Sequence, residues 1–139
     1  MRRLSWMIIL ITCLAITLTG CGTACHGRKA VDARLHYSYW GNQFEAIYSQ
    51  AETASTEEIP ALQEQMLEVE ETAQGLVTPT CTHRVRLALL DSFDAKQELL
   101  DLRYHGASAE EIDSANERVD ETHSLLLQEL EALDKRIDD

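Results

Sequence analysis

From residue 31 onward apolar side chains recur every three or four positions, and no stretch holds the strict alternation of a half-buried strand. Four windows carry the pattern. In the first, about Val31 to Glu52, the residues Val31, Leu35, Trp40, Phe44, Ile47 and Ala51 mark a stripe, with Tyr37, Tyr39 and Tyr48 beside it. Gly41-Asn42 in its middle predicts a kink, because glycine weakens a helix interior. The second, about Glu57 to Gln74, places Ile59, Leu62, Met66, Val69 and Ala73 in alternating steps of three and four. Ser55 with Glu58 composes a capping box, Pro60 falls within the first turns and Gly75 suits the C-terminal cap. The third, about Cys81 to Tyr104, shows Val85, Ala88, Ser92, Ala95, Leu99 and Leu102, widened by Leu89, Phe93 and Leu100. Thr78-Pro79 opens it and Gly106 ends it. The fourth, about Ala109 to Ile137, repeats Ile112, Val119, Leu126 and Leu133 at sevens, flanked by Leu130 and Ile137, and Ser108 with Glu111 forms a second capping box. Repeats of seven imply packing at a shallow angle, and short connections favour antiparallel neighbours. The expected fold is all-α: an up-down-up-down bundle of four helices within residues 31–139.

Ahead of this domain the pattern changes. Met1-Arg2-Arg3 is a short positive stretch, Leu4 to Leu18 is almost unbroken apolar, and Thr19 and Gly20 are small. This is the three-part layout of a secretory signal peptide. The apolar run is short for a membrane span, which needs about 20 residues. The residues Leu18-Thr19-Gly20-Cys21 resemble, in all four positions, the lipobox of bacterial lipoproteins. That resemblance implies cleavage between Gly20 and Cys21, a diacylglyceryl group on the Cys21 thiol and acylation of the new amino terminus. It divides the chain into a signal peptide (1–20), a lipidated tether (21–30) and a helical domain (31–139). The membrane becomes a partner through lipid on Cys21, and two or more acyl chains hold a protein durably without a spanning helix. Arg2-Arg3 is followed by Leu4-Ser5-Trp6, which lacks the rest of the twin-arginine pattern, so export by general secretion is expected. Gly22 is not the aspartate that retains lipoproteins at the inner membrane of some diderm bacteria. Where that rule operates, the outer membrane or cell surface is the expected address.

Charge narrows the partners. The chain holds 24 acidic and 12 basic residues, a net charge of -12, and loss of Arg2 and Arg3 makes the remainder more acidic still. Such a surface as a whole repels nucleic acid and anionic lipid headgroups, so no nucleic acid is expected as a partner and the domain is expected to stand off the bilayer. The length left after cleavage suits one compact domain. Of the four cysteines, Cys13 leaves with the signal and Cys21 carries lipid under the lipoprotein reading, so Cys25 and Cys81 remain as one disulfide. Closing a loop of about 56 residues stabilises by roughly 4 kcal/mol in the chain-entropy description. The expected helix order brings Cys25 and Cys81 to the same end of the bundle, the tethered one. It also gathers Arg28, Lys29, Arg34, Arg84, Arg86, Lys135 and Arg136 there, and sends Glu52, Glu57, Glu58, Glu110, Glu111 and Asp113 to the far end. Cys21-Gly22-Thr23-Ala24-Cys25-His26 is one residue longer than the Cys-x-x-Cys-His of haem attachment, and lipidation would consume Cys21. No haem is expected.

Chemistry is sparse. The histidines are His26, His36, His83, His105 and His123, and only Asp120-x-x-His123 approaches the Glu-x-x-His element of di-iron bundles. No zinc, calcium, phosphate-loop or hydrolase motif occurs. The adjacent acids Glu57-Glu58, Glu70-Glu71 and Glu110-Glu111 point in different directions on a helix and would not flank one bond. Neither metal, cofactor nor enzymatic activity is expected. The aromatic group Tyr37, Tyr39, Trp40, Phe44 and Tyr48 leaves two readings open. One is core filling, with Trp40, Phe44 and Ile47 against the third helix. The other is a contact surface for a protein partner through Tyr37, Tyr39 and Trp40, which joint exposure of Tyr37 and Tyr39 would favour. Pro79-Thr80-Cys81 resembles the Pro-x-Cys element that opens a helix in some small bacterial lipoproteins, a likeness that implies no activity. The function expected is that of a lipid-anchored, non-enzymatic envelope lipoprotein acting through protein contacts or as an envelope component. The alternative is a carrier of a small ligand or metal, which a polar pocket lined by His123 or the tyrosines would favour.

Overall fold

A computed structural model describes residues 27–138. The signal peptide, the Gly20–Cys21 cleavage position, Cys25 and most of the tether lie outside the described residues. The fold is all-α; among the described residues there are four helices and no strand: α1 (Arg28–Ala51), α2 (Ile59–Gly75), α3 (His83–Tyr104) and α4 (Ala109–Asp138). A 3-10 turn, Thr80–Thr82, leads into α3.

The helix ends follow local chemistry. At α4 the capping box is complete: the Ser108 backbone N–H and hydroxyl donate to Glu111 Oε2 at 2.9 and 2.6 Å, and the Glu111 N–H donates to Ser108 Oγ at 3.3 Å. Before α2 only half a box forms. Ser55 donates to Glu58 Oε2 from its N–H and hydroxyl, at 2.9 and 2.7 Å, and the helix begins after that turn, at Ile59. Gly106, with φ of 70°, turns the chain out of α3 in a conformation that disfavours side chains. Thr82 is the start of α3 seen from inside: its hydroxyl donates to the Pro79 carbonyl at 2.8 Å.

Two expectations for α1 change. The helix begins at Arg28, inside the stretch assigned to the tether, and it runs through Gly41-Asn42 without interruption. Gly41 sits where a Cβ would meet Leu89 Cδ1 at 3.5 Å, so packing on α3 offsets a propensity cost of about 1 kcal/mol. The buried stripe is also rotated from the one drawn through the largest side chains. Ala30, Ala33, Tyr37, Phe44, Tyr48 and Ala51 face inward. At 3.6 residues per turn this sends Val31, Leu35 and Tyr39 to the opposite, solvent side, and all three are exposed. Small residues at Ala30, Ala33 and Ala51 allow close approach, and the tyrosine rings supply the volume.

α3 is the axis of the molecule. Val85, Ala88, Leu89, Phe93, Ala95, Leu99 and Leu100 are all buried, covering more than one face, because the other helices pack around it. Phe44 stacks on Phe93 with centroids 3.9 Å apart and planes 4° from parallel. Met66, Val69 and Ala73 of α2 and Leu126 and Leu133 of α4 complete the core. Each large apolar side chain buried this way contributes roughly 1.5–3 kcal/mol. Contacts between α1 and α3 rise together in number, from Tyr37 with Thr82 through Phe44 with Phe93 to Glu52 with Arg103. Those between α3 and α4 run oppositely, from Cys81 with Arg136 to Glu98 with Arg118.

Candidate functional site

α1 and α4 lie on the same side of α3 and are clasped at both ends of a groove. Near the end where α1 begins, the Arg34 guanidinium forks onto Asp134, with Nε–Oδ1 at 2.7 Å and Nη2–Oδ2 at 3.1 Å. Near the far end Arg103 reaches Glu52, the C-cap of α1, at 3.3 Å and Asn116 of α4 at 3.2 Å. Between these clasps the helices leave α3 accessible. The reason is local: on the α1 edge of the groove the side chains are small or polar, namely Ser38, Gly41 and Asn42, and cannot close the distance to Leu126, Leu127 and Leu130 of α4.

The groove has two compartments. The first, of about 330 Å³, is floored by Leu89, Ser92, Phe93 and Lys96 of α3, with Arg34 at one end and His123 and Glu45 toward the other. The second, of about 460 Å³, continues past Lys96 along Tyr48, Glu52, Leu99, Asn116, Val119 and Asp120. Lys96 divides them. Its ammonium group donates to Glu45 Oε2 and lies 5.4 Å from the Tyr48 ring centroid. Lys96 is only 6% exposed, while the Glu45 side chain is half exposed, so the pair has one buried and one solvated member. Burial, then the nearby Glu52 carboxylate, pushes the Tyr48 hydroxyl above its ordinary range, so Tyr48 stays a neutral wall of the second compartment.

Ser92 is buried, as its place in the α3 stripe implies. It is 3% exposed, and among the described residues its hydroxyl makes no hydrogen bond. No side-chain nitrogen or oxygen sealed from solvent is left without a partner among the described residues, so this hydroxyl opens into the groove. A larger hollow, about 670 Å³, lies between the start of α1 and Val77–Thr80. No core aromatic residue lines it, whereas the groove reaches Phe93.

The expected site residues are divided by the fold. Tyr37 is not a contact residue: it is 2% exposed, and its hydroxyl is within 2.9 Å of both Thr78 Oγ1 and Thr82 Oγ1, tying α1 to the entry of α3. An amphipathic ring with two hydroxyl partners at its tip is more stable inside than at a surface. Tyr39 is 54% exposed and meets Trp40 edge-on, with ring centroids 4.9 Å apart, while Trp40 is half-buried against the core. The joint exposure of Tyr37 and Tyr39 that would mark a tyrosine contact surface does not occur. Phe44 and Ile47 take the core positions expected of them. His123 is exposed at the groove rim. Cys81 lies half-buried in the 3-10 turn; it is not a free thiol, and its carbonyl accepts from Arg136 at 3.3 Å. Cys21 and Cys25 fall outside the described residues.

On the opposite flank Glu70 is buried and accepts hydrogen bonds from Gln74 and Gln97, each at 2.7 Å. Desolvation raises its pKa against those two bonds. It is a structural carboxylate between α2 and α3. Among the described residues no three His, Cys, Asp or Glu side chains gather as a metal-binding group, and no helix is long and apolar enough to cross a membrane. The groove residues Ser92 and Lys96 carried a signal in the sequence, since both fall in the buried stripe of α3, four residues apart. No family model, no curated protein and no solved structure matches the chain.

Proposed function

We propose that this chain is a lipid-anchored, non-enzymatic lipoprotein of the cell envelope, exported, cleaved between Gly20 and Cys21 and held to the membrane by lipid on Cys21, with a domain that acts by contacting another protein. The lipobox residues Leu18-Thr19-Gly20-Cys21 are its starting point. The observation that carries it is the contrast between the two ends of the domain. Taken in up-down-up-down order, which the paired contacts of α1, α3 and α4 support, the tether joins the end bearing exposed Arg28, Lys29, Arg84 and Lys135 and the fully exposed Val77. The far end bears Glu57, Glu58, Glu110, Glu111 and Asp113, and none of the large apolar residues found exposed among the described residues lies there. A basic and apolar end suits an anionic bilayer surface, and an acidic end is repelled from it.

The contact face in this reading is the outer side of α1, where Val31, Leu35 and Tyr39 stand four residues apart and exposed. Such an i, i+4, i+8 ladder matches the face that helix-in-groove partners recognise. Cys25 is the proposed disulfide partner of Cys81, joining the tether to the body at the same end. The outer membrane or cell surface is the proposed address. The test is intact mass of the protein extracted from membranes, with and without reduction, followed by isolation of the Cys21 peptide. A lipid-sized addition on Cys21 and a Cys25–Cys81 crosslink are expected. A chain that keeps residues 1–20 and carries no lipid overturns the reading.

A further inference from the structure

The first compartment of the groove, unlike the exposed face of α1, is built from the core. Its floor pairs two hydrogen-bond donors with an apolar trough. Ser92 and Lys96 are one helical turn apart on the same face of α3, and both are more than nine-tenths buried. Leu89 and Phe93 lie beside them, and Leu130 forms the α4 wall. The Ser92 hydroxyl is open to the groove and unpartnered among the described residues. Among the described residues the Lys96 ammonium donates to Glu45 and lies over the Tyr48 ring; Glu45 is half exposed, so its carboxylate can turn out to water when another anion takes its place on Lys96.

From this we propose that the compartment is a binding site for a small monocarboxylate with an unbranched apolar body. The ligand carboxylate replaces Glu45 on the Lys96 ammonium and accepts a hydrogen bond from the Ser92 hydroxyl, and its chain lies over Leu89 and Phe93 toward Leu130. Several features select this chemistry. A volume of about 330 Å³ falls at the small end of ligand sites, which are mostly apolar with a few convergent polar groups. Arg34 at the end of the compartment is already paired with Asp134, so one ammonium is left to match one negative charge, and Asp120 and Glu52 in the adjoining compartment disfavour a dianion. A neutral ligand would leave the Lys96–Glu45 pair in place across its path. Glu45 therefore acts as an internal competitor, which sets a modest affinity and makes removal of its charge a diagnostic change.

The proposal does not depend on the lipid on Cys21. The test uses the full chain in detergent micelles, isotopically labelled and titrated with octanoate and, separately, with octanamide, reading the backbone amide shifts of Ser92 and Lys96. Octanoate is expected to saturate these shifts, with octanamide at least tenfold weaker. Glu45→Gln is expected to bind octanoate several-fold tighter, and Lys96→Met at least tenfold weaker with helical content unchanged. The octanoate and octanamide comparison needs no variant, so it decides even if Lys96→Met fails to fold. Shifts confined to surface residues, equal binding of the two probes, or a Glu45→Gln chain that binds no tighter would each overturn the proposal.

Discussion

Tyr37 spans α1 and the 3-10 turn through hydroxyl contacts to Thr78 and Thr82. Tyr37→Phe keeps the ring and removes both contacts, while Thr82 retains its bond to Pro79. A loss of about 1 kcal/mol is expected, seen as a lower urea midpoint at unchanged slope. Acid sensitivity follows from Glu58 and Glu111. Hydrogen bonds from the Ser55 and Ser108 hydroxyls, then from the backbone N–H groups of the same serines, hold both carboxyls below their ordinary range. A lowered folded pKa means stability that is present above the unfolded value and lost as pH falls through the folded one. Glu70 has the opposite sign, because burial raises its pKa: its contribution is present below the unfolded value and fades as pH rises through the folded one. The double variant Glu58→Gln, Glu111→Gln should therefore lose less of its urea midpoint on acidification below the ordinary carboxylate range than the parent does. A steeper loss would contradict the assignment.

At the scale of elements, two glycines separate helix interior from helix end. Gly41 lies inside an uninterrupted α1, and a Cβ there makes an ordinary 3.5 Å contact with Leu89. Gly41→Ala is expected to stabilise by roughly 0.5–1 kcal/mol. Gly106 meets nothing within 4 Å but has a φ of 70°, so Gly106→Ala is expected to destabilise by about 1 kcal/mol through strain alone. Thermal melts of the two variants should shift in opposite directions; shifts of the same sign would mean that Gly41 is held by something other than helix packing. The pair also shows why α1 continues through Gly41-Asn42. A glycine is a break in sequence terms, yet here it admits the Leu89 side chain beside the α1 backbone.

The whole molecule is organised by where charge and apolar surface meet the ends of the bundle and by how the chain outside the described residues is joined to it. If Cys25 is the partner of Cys81, reduction opens a loop of about 56 residues and should cost roughly 4 kcal/mol in the chain-entropy description. Urea unfolding with and without reductant measures this, and an unchanged midpoint would remove the proposed pairing. The proposed orientation places Arg28, Lys29 and Arg84 toward the bilayer and the outer face of α1 to the side, accessible to a partner helix. The groove is a separate feature of the same whole, since it exists only because α1 and α4 are clasped at Arg34–Asp134 and at Arg103 and kept apart between them.

The sequence alone determined the number and type of elements, because helical periodicity and the turn residues around Ser55, Pro79 and Ser108 act locally. Much of the α3 stripe was legible for the same reason, since Val85, Leu89, Phe93, Leu99 and Leu100 are both large and buried; of the α4 heptad Leu126 and Leu133 are buried, whereas Ile112 and Val119 are only partly so. α1 was misread at its start, since Ala30 and Ala33 carry little hydrophobic signal and Val31 and Leu35 carry much. Only packing against α3 could decide that the small residues face inward and that Tyr37 is core. The groove was not legible either, although Ser92 stood in the stripe drawn for α3 and Lys96 follows it by one helical turn. A cavity is set by the distance between helices remote in sequence, and by which side chains fail to fill it. Periodicity along one helix reports which face turns inward; how closely two such faces meet is a property of the assembled bundle.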